Sequence, residues 1–247
     1  MSAYFGQIKA CAEVVELKHK LCLTVVEELV ELRVLILIYK RQQILHNVRG
    51  LKLKALDNIE AGGCLHNVAE LADLKGKKFQ PKRNHVNRFL AEHPEAYLKP
   101  LDEVTLPDCM DFTRRWFERR LEEDPTADFT MEQIALSRAY THFRELGLEG
   151  LVLYCDGKPV AMTMGSFLSE DTVDVHFEKA DADYATAYAV INRAFARYIR
   201  DKYPQVKYLD REEDMGSPGL RKAKLSYQPH HLVEKCWAHY TGEDFNV

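Results

Sequence analysis

No stretch of this sequence is apolar for long. The longest purely apolar run, Val34 to Tyr39, is flanked by charges and falls far short of the roughly 18 to 20 residues a bilayer demands, so no transmembrane helix is predicted. The N-terminus shows no basic stretch followed by an apolar core and a small-residue cleavage site, so no signal peptide is read and a cytoplasmic location is expected. The six cysteines, Cys11, Cys22, Cys64, Cys109, Cys155 and Cys236, stand singly with no C-x-x-C, which fits reduced apolar fillers and no zinc site. No histidine has ligand spacing, and His230-His231 is no exception, so no metal is expected. An excess of positive charge is also missing: a net charge of -4 argues against wholesale coating of nucleic acid, leaving only local basic patches to consider.

What is present is an ordinary soluble composition, 46% hydrophobic and 29% charged, in 247 residues, enough for one large domain or two small ones. From Ala10 to Val48 apolar residues recur at three- and four-residue spacings, which predicts amphipathic helix; over Leu32 to Tyr39 a buried strand competes equally. Asp57 to His66, with Gly62 and Gly63, reads as a loop or boundary. A helix follows over Val68 to Leu74, then a basic stretch, Lys75 to Phe89, that contains no acid. Such a run is either a solvated helix face or a phosphate site. Helices are predicted over Asp108 to Glu123 and over Thr130 to Leu146, the second with Thr130 and Gln133 as a capping box.

The period then changes to two. Gly150 to Cys155 and Pro159 to Phe167 are strands joined by Asp156-Gly157, a strong hairpin signal. A third strand, Asp171 to Glu178, turns Thr172, Asp174, His176 and Glu178 one way and Val173, Val175 and Phe177 the other. A long helix over Asp183 to Lys202, a strand over Val206 to Asp210, a short helix opened by Ser217-Pro218-Gly219 and a last strand over Leu232 to Tyr240 complete the order.

Helices, an antiparallel meander, a crossover helix, a parallel strand, a short helix and a closing strand resemble the acyltransferase fold of the GNAT superfamily. Two motifs narrow this: Leu74, Gly76-Lys77-Lys78-Phe79, Lys82-Arg83-Asn84 and Asn87-Arg88-Phe89, then Asp210-Arg211-Glu212-Glu213-Asp214, Gly216, Pro218 to Tyr227 and Pro229. They resemble the phosphatidylglycerol lysyltransferase C-terminal domain family, over about residues 67 to 240. The expected fold class is α+β, a GNAT-like acyltransferase fold with a mixed, mostly antiparallel sheet flanked by helices, preceded by a mainly helical N-terminal segment. The division expected is an N-terminal segment, 1–66, and a transferase domain, 67–247. Family members usually carry two tandem GNAT-like lobes, so the first 66 residues read as a truncated or divergent first lobe.

The resemblance implies a donor other than coenzyme A: characterised members move an aminoacyl group from aminoacyl-tRNA to a lipid hydroxyl, and related folds move it to other amines. The phosphate cradle of coenzyme-A users reads Gln or Arg, then x-x-Gly-x-Gly or Ala. Here Lys179 to Ala185 offers no glycine and two carboxylates, Asp181 and Asp183, which cap a helix well but repel pyrophosphate. No cofactor is therefore expected; the partners are aminoacyl-tRNA and a small-molecule or phospholipid acceptor. The candidate catalytic groups are Asp174, His176, Glu178, Glu212 and Asp214, each with structural pairing as its plainer reading. The candidate donor and phosphate ligands are Lys82, Arg83, Arg88, Arg211, Arg221, Lys222, Lys224 and Tyr227, several gathered near a helix start after Gly219. An acyl-CoA-dependent N-acyltransferase and a non-catalytic module or inactive fragment are the alternatives.

Overall fold

The computed structural model describes residues 34–37, 53–184, 186–211 and 217–240, of which 34–37, 53–62 and 233–240 as backbone alone. The helix expected before Val34, the remainder of that stretch to Val48, and Glu212 and Asp214 lie outside the described residues. Two compact units emerge: residues 66–210, and residues 1–65 together with 211–247.

The unit of residues 66–210 is built around a five-strand run in the order β7-β6-β5-β4-β3. Its strands are β3 (Tyr97–Pro100), β4 (Glu149–Cys155), β5 (Lys158–Ser169), β6 (Thr172–Ala180) and β7 (Tyr208–Asp210). Neighbours are antiparallel except β6 and β7. The β4–β5 turn is the one expected: Asp156 and Gly157 have φ of 49° and 72°, the two left-handed residues of a type I′ hairpin. The crossover α5 (Ala187–Lys202) carries β6 into parallel β7.

Two further helices, α3 (Leu106–Glu123) and α4 (Thr130–Thr141), precede β4. Their Phe112, Phe117, Leu136 and Tyr140 form one buried cluster with Val152, Tyr154, Met162 and Met164 of the sheet. Ahead of them, α1 (Val68–Asp73) packs on α5, and a 3-10 turn (Lys77–Phe79) leads into α2 (Gln80–Glu92). Asn67 caps α1, its Oδ1 accepting the N–H of Glu70 at 3.2 Å. The α4 start differs from the capping box expected. Phe129 is the cap residue, and the carboxylate of Asp128 accepts the Thr130 N–H at 2.9 Å, so Thr130 lies inside the first turn. That helix also stops at Thr141, with Gly147 in the left-handed region farther on.

Between α5 and β4 one carboxylate makes most of the polar contact. Glu149 accepts from Tyr198 Oη at 2.5 Å, from Lys202 Nζ at 3.0 Å and from the Tyr203 hydroxyl. Burial acts to raise its pKa, but these three donors outweigh burial and hold the carboxyl below the ordinary glutamate range. Such a depressed carboxylate contributes stability above its unfolded pKa and loses it as pH falls through the folded one. Glu149→Gln is expected to cost about 1–2 kcal/mol at neutral pH and progressively less in acid, where the wild type has lost the same contribution. Urea denaturation of both proteins at neutral and acid pH checks this.

In the other unit, β1 (Val34–Leu37) and β2 (Leu53–Asn67) both pair antiparallel with β8 (His231–Tyr240). The apolar run at Val34 is thus strand, not helix, over the residues described. The loop expected at Asp57 to His66 is instead part of β2. Its ladder shifts register between Leu56 and Asn58 and between Ile59 and Gly63, irregularities that accommodate glycine without ending the strand. The short α6 (Pro218–Leu225) opens as expected on Ser217, whose side chain accepts from Leu220 N–H at 3.5 Å.

Candidate active site

The parallel pair β6–β7 is short. Thr172, Val173 and Asp174 pair with Tyr208, Leu209 and Asp210, while β6 continues to Ala180 with no further β7 partner among the described residues. The pairing stops at Asp174 because β7 ends at its partner, Asp210. At that point the β5–β6 register jumps from Gly165–Val175 to Met164–Phe177, so His176 opposes no residue and forms a β-bulge. Bulges re-aim side chains, and here the re-aimed group is an imidazole.

Around it lie the residues expected on the polar face of this strand, and one that was not. His176 Nε2 is 2.7 Å from Ser166 Oγ, and His176 Nδ1 is 3.6 Å from Asp174 Oδ2, an ion-pair separation longer than a hydrogen bond. Ser166 stands directly opposite Asp174 in the ladder. Asp174 is buried, while His176 and Ser166 are partly exposed. Farther along, Glu178 accepts from Nδ2 of buried Asn192 on α5 at 3.1 Å. Asn192 Oδ1 and Thr163 Oγ1, both buried, have no hydrogen-bond partner among the described residues. Such deficits cost stability and concentrate at functional sites.

The opposite face of β6 is structural. Phe177 packs against the α3–α4 cluster. Lys179, overlooked in the sequence, is buried with its Nζ 2.8 Å from Glu132 and 3.6 Å from the Trp116 ring centroid. Burial pushes its pKa down against the pull of Glu132. After Ala180 the chain turns before α5 begins at Ala187, later than expected. Asp181 and Asp183 are clamped there by Arg119 of α3, at 3.1 Å and 2.9 Å, and the Asp183 N–H donates to Asp181 Oδ1 at 3.0 Å. The guanidinium holds the Asp183 carboxyl below its ordinary range. This ion pair borders a hollow lined by Phe112, Trp116, Arg120 and Ala182.

The basic candidates have acquired partners. Arg83 Nη1 donates to the carbonyls of Leu74 and, at 2.6 Å, Gly76, and so closes the C-terminal end of α1. Arg88 pairs with Glu92 at 3.0 Å, Lys78 with Glu70 at 2.7 Å and Lys75 with Asp73 at 2.8 Å, so the acids missing from the basic stretch itself come from either side of it. Lys82 is half-buried beside them on α2. Arg193 and Arg197 of α5 both donate Nε to Ala72 O, at 3.1 and 3.0 Å. With Arg83 they converge on the end of α1; only their four-residue spacing could have signalled this in the sequence.

In the other unit, the Arg211 guanidinium lies 5.1 Å from the centroid of buried Tyr227, a cation–π distance. Arg221 and Lys222 are exposed on α6 and Lys224 is half-buried. The candidates are thus divided: Lys82, Arg83, Arg88, Asp174, His176 and Glu178 in residues 66–210, and Arg211, Arg221, Lys222, Lys224 and Tyr227 in the second unit. The described residues include one His–Glu–Cys group, His93, Glu95 and Cys155. Burial pushes the Cys155 thiol up to about 11.

A mostly antiparallel sheet with a parallel pair, β6 and β7, joined by a crossover helix and set beside a polar strand face, is the GNAT-like acyltransferase fold. Residues 58–239 match the family described as phosphatidylglycerol lysyltransferase, C-terminal, and the chain belongs to that family. A solved conserved protein of unknown function from Bacteroides thetaiotaomicron is 38% identical, with a TM-score of 0.71 over 78% of this chain and 64% of that one. The C-terminal domain of a putative lysylphosphatidylglycerol synthetase from Agrobacterium fabrum shares the fold at 15% identity, with a TM-score of 0.53 over 77% of this chain and 62% of that one. An uncharacterized protein of Mycoplasmoides gallisepticum is 27% identical over 173 residues, 69% of this chain and 54% of its own length. The chain therefore spans only about half of that relative and less than two thirds of either solved chain.

Proposed function

We propose that this chain is an aminoacyl transferase that takes its acyl group from aminoacyl-tRNA and delivers it to a lipid hydroxyl or to a small amine or hydroxyl compound. The observation that carries the reading is the clamp of Arg119 on Asp181 and Asp183. It occupies the loop where a coenzyme-A user holds pyrophosphate and puts carboxylates and a spent backbone N–H in its place. An aminoacyl ester is already activated and needs no such cradle. The protein's tasks reduce to orienting the two substrates, holding the proton of the attacking group and stabilising the oxyanion.

Among the acidic and basic groups on the polar face of β6, His176 fits the proton-holding task. It is partly exposed just beyond the last β6–β7 pair, whereas Asp174 is buried and Glu178 is tied to Asn192. The donor's phosphates suit Arg193, Arg197 and Lys82 in one unit and Arg221 and Lys222 in the other. Cytoplasmic action follows from the donor; no helix among the described residues is long and apolar enough to cross a membrane.

The test is incubation with tRNA charged with labelled amino acids and with liposomes containing phosphatidylglycerol, counting label in organic and aqueous fractions. Transfer to lipid or to an added small amine, with no response to acetyl-coenzyme A, supports the reading; transfer from acetyl-coenzyme A in its place overturns it. Salt supplies an independent check. The logarithm of tRNA affinity is expected to fall linearly with the logarithm of salt concentration, and Arg221→Ala or Lys222→Ala to reduce the slope by about one each. A flat dependence in the wild type removes tRNA as donor.

A further inference from the structure

We infer that Ser166 is a covalent nucleophile for activated carboxylic esters, with His176 as its general base and Asp174 as the group that orients the imidazole. The three side chains come from facing positions on β5 and β6, beside the last β6–β7 pair, Asp174 with Asp210. The Nε2–Oγ distance of 2.7 Å is short for a nitrogen–oxygen hydrogen bond, and Asp174 Oδ2 lies 3.6 Å from the other ring nitrogen. For Nε2 to accept the Ser166 proton, Nδ1 must carry the ring hydrogen, and the Asp174 carboxylate favours that tautomer. Exposure runs in the order such a relay needs: Asp174 is buried, and His176 and Ser166 are partly exposed. Arrangements of this kind are recognised by geometry and roles on any fold.

The chemistry balances without a further reactant. Ser166 Oγ bonds to the ester carbonyl carbon as its proton passes to His176 Nε2. The bond from that carbon to the leaving oxygen then breaks, and the leaving oxygen takes the proton from Nε2. An acyl-Ser166 ester remains. In the second half an acceptor hydroxyl, amine or water attacks it, gives its proton to Nε2, and Ser166 Oγ departs and recovers that proton. The inference rests on the proposed acyl transfer for its substrate class and not for the donor.

The probe is a fluorophosphonate, which phosphorylates activated serines and needs neither tRNA nor lipid. Peptide mapping of the full chain is expected to place the adduct on Ser166. Labelling should be absent in Ser166→Ala and at least about tenfold slower in His176→Gln. A folded wild-type chain with no adduct on Ser166, or His176→Gln labelled as fast as wild type, overturns the inference. Ser166→Cys provides a second reading with the imidazole in place. At neutral pH its new thiol is expected to react with iodoacetamide at least about tenfold faster than glutathione, since an adjacent imidazolium stabilises thiolate. A rate no faster than glutathione overturns the assignment. Adduct on Ser166 without transfer from charged tRNA upholds the nucleophile and removes that donor; transfer by a chain whose Ser166 takes no adduct does the reverse.

Discussion

Gly165→Ala is expected to destabilise the protein by about 3 kcal/mol, at the upper end for overpacking, and to disconnect Ser166 from His176. A Cβ at Gly165 would penetrate the Asp174 carbonyl oxygen and come within 3.2 Å of its carbon and 3.3 Å of Val175 Cα. All three are backbone atoms of the neighbouring strand, so no side chain can rotate away and β5 and β6 must separate. They would separate at the register jump that sets His176 between the two strands' pairs. At roughly 2–4 °C per kcal/mol, the melting temperature should drop by about 10 °C. Gly157→Asn is the control. That glycine has a φ of 72° with nothing within 4 Å of an added Cβ, and asparagine tolerates the left-handed region, so a much smaller change is expected. Equal melting temperatures for wild type and Gly165→Ala would mean that the two strands are not held at this separation in solution.

The same strand pair shows what the sequence could and could not disclose. Alternation alone predicts Asp174, His176 and Glu178 on one face of β6, and the bulge at His176 interrupts that period of two. Ser166 was out of reach. Continuing the pairing of Ser169 with Thr172 back along the hairpin, with no irregularity, sets Ser166 opposite Val175, on the apolar face. The actual ladder skips at Leu168 and sets Ser166 opposite Asp174. A one-residue slip reverses every side chain, and nothing local in Phe167-Leu168-Ser169 announces it.

Elsewhere the contrast lies between local and distant causes. The Asp156-Gly157 hairpin, the helical period of α3 and α5 and the Ser217 cap are encoded within a few residues, and each was legible. The glycines of β2 were misread because pairing with β8, far along the chain, overrides their local preference. The late start of α5 has the same origin: Arg119 engages Asp181 and Asp183 from another helix. Arg193 and Arg197 look like surface charges until the end of α1 is placed beneath them, since their common acceptor, Ala72 O, precedes them by most of the unit. Charge was therefore readable by sign in the sequence and by role only in the fold.

His176→Gln is expected to lower the rate of acyl transfer by about 10²–10⁴-fold, with little change in KM and none in the fold. The glutamine amide can still hydrogen-bond Ser166, so packing and the β5–β6 contact persist. What it cannot do is carry a proton between the attacking and leaving groups. Glu178→Gln separates this from a general electrostatic effect: its carboxylate is committed to Asn192, and a neutral amide can accept the same bond, so the rate should stay within a fewfold of wild type. The decisive comparison is between singles and the double variant. If Ser166 and His176 work as one unit, Ser166→Ala and His176→Gln each remove nearly the whole effect, and combining them costs little more. If His176 acts directly on the acceptor while Ser166 merely bonds to its ring, Ser166→Ala alone leaves most of the rate intact. Steady-state kcat for the four proteins, with melting temperatures alongside, distinguishes a relay through the hydroxyl from a base that happens to touch one.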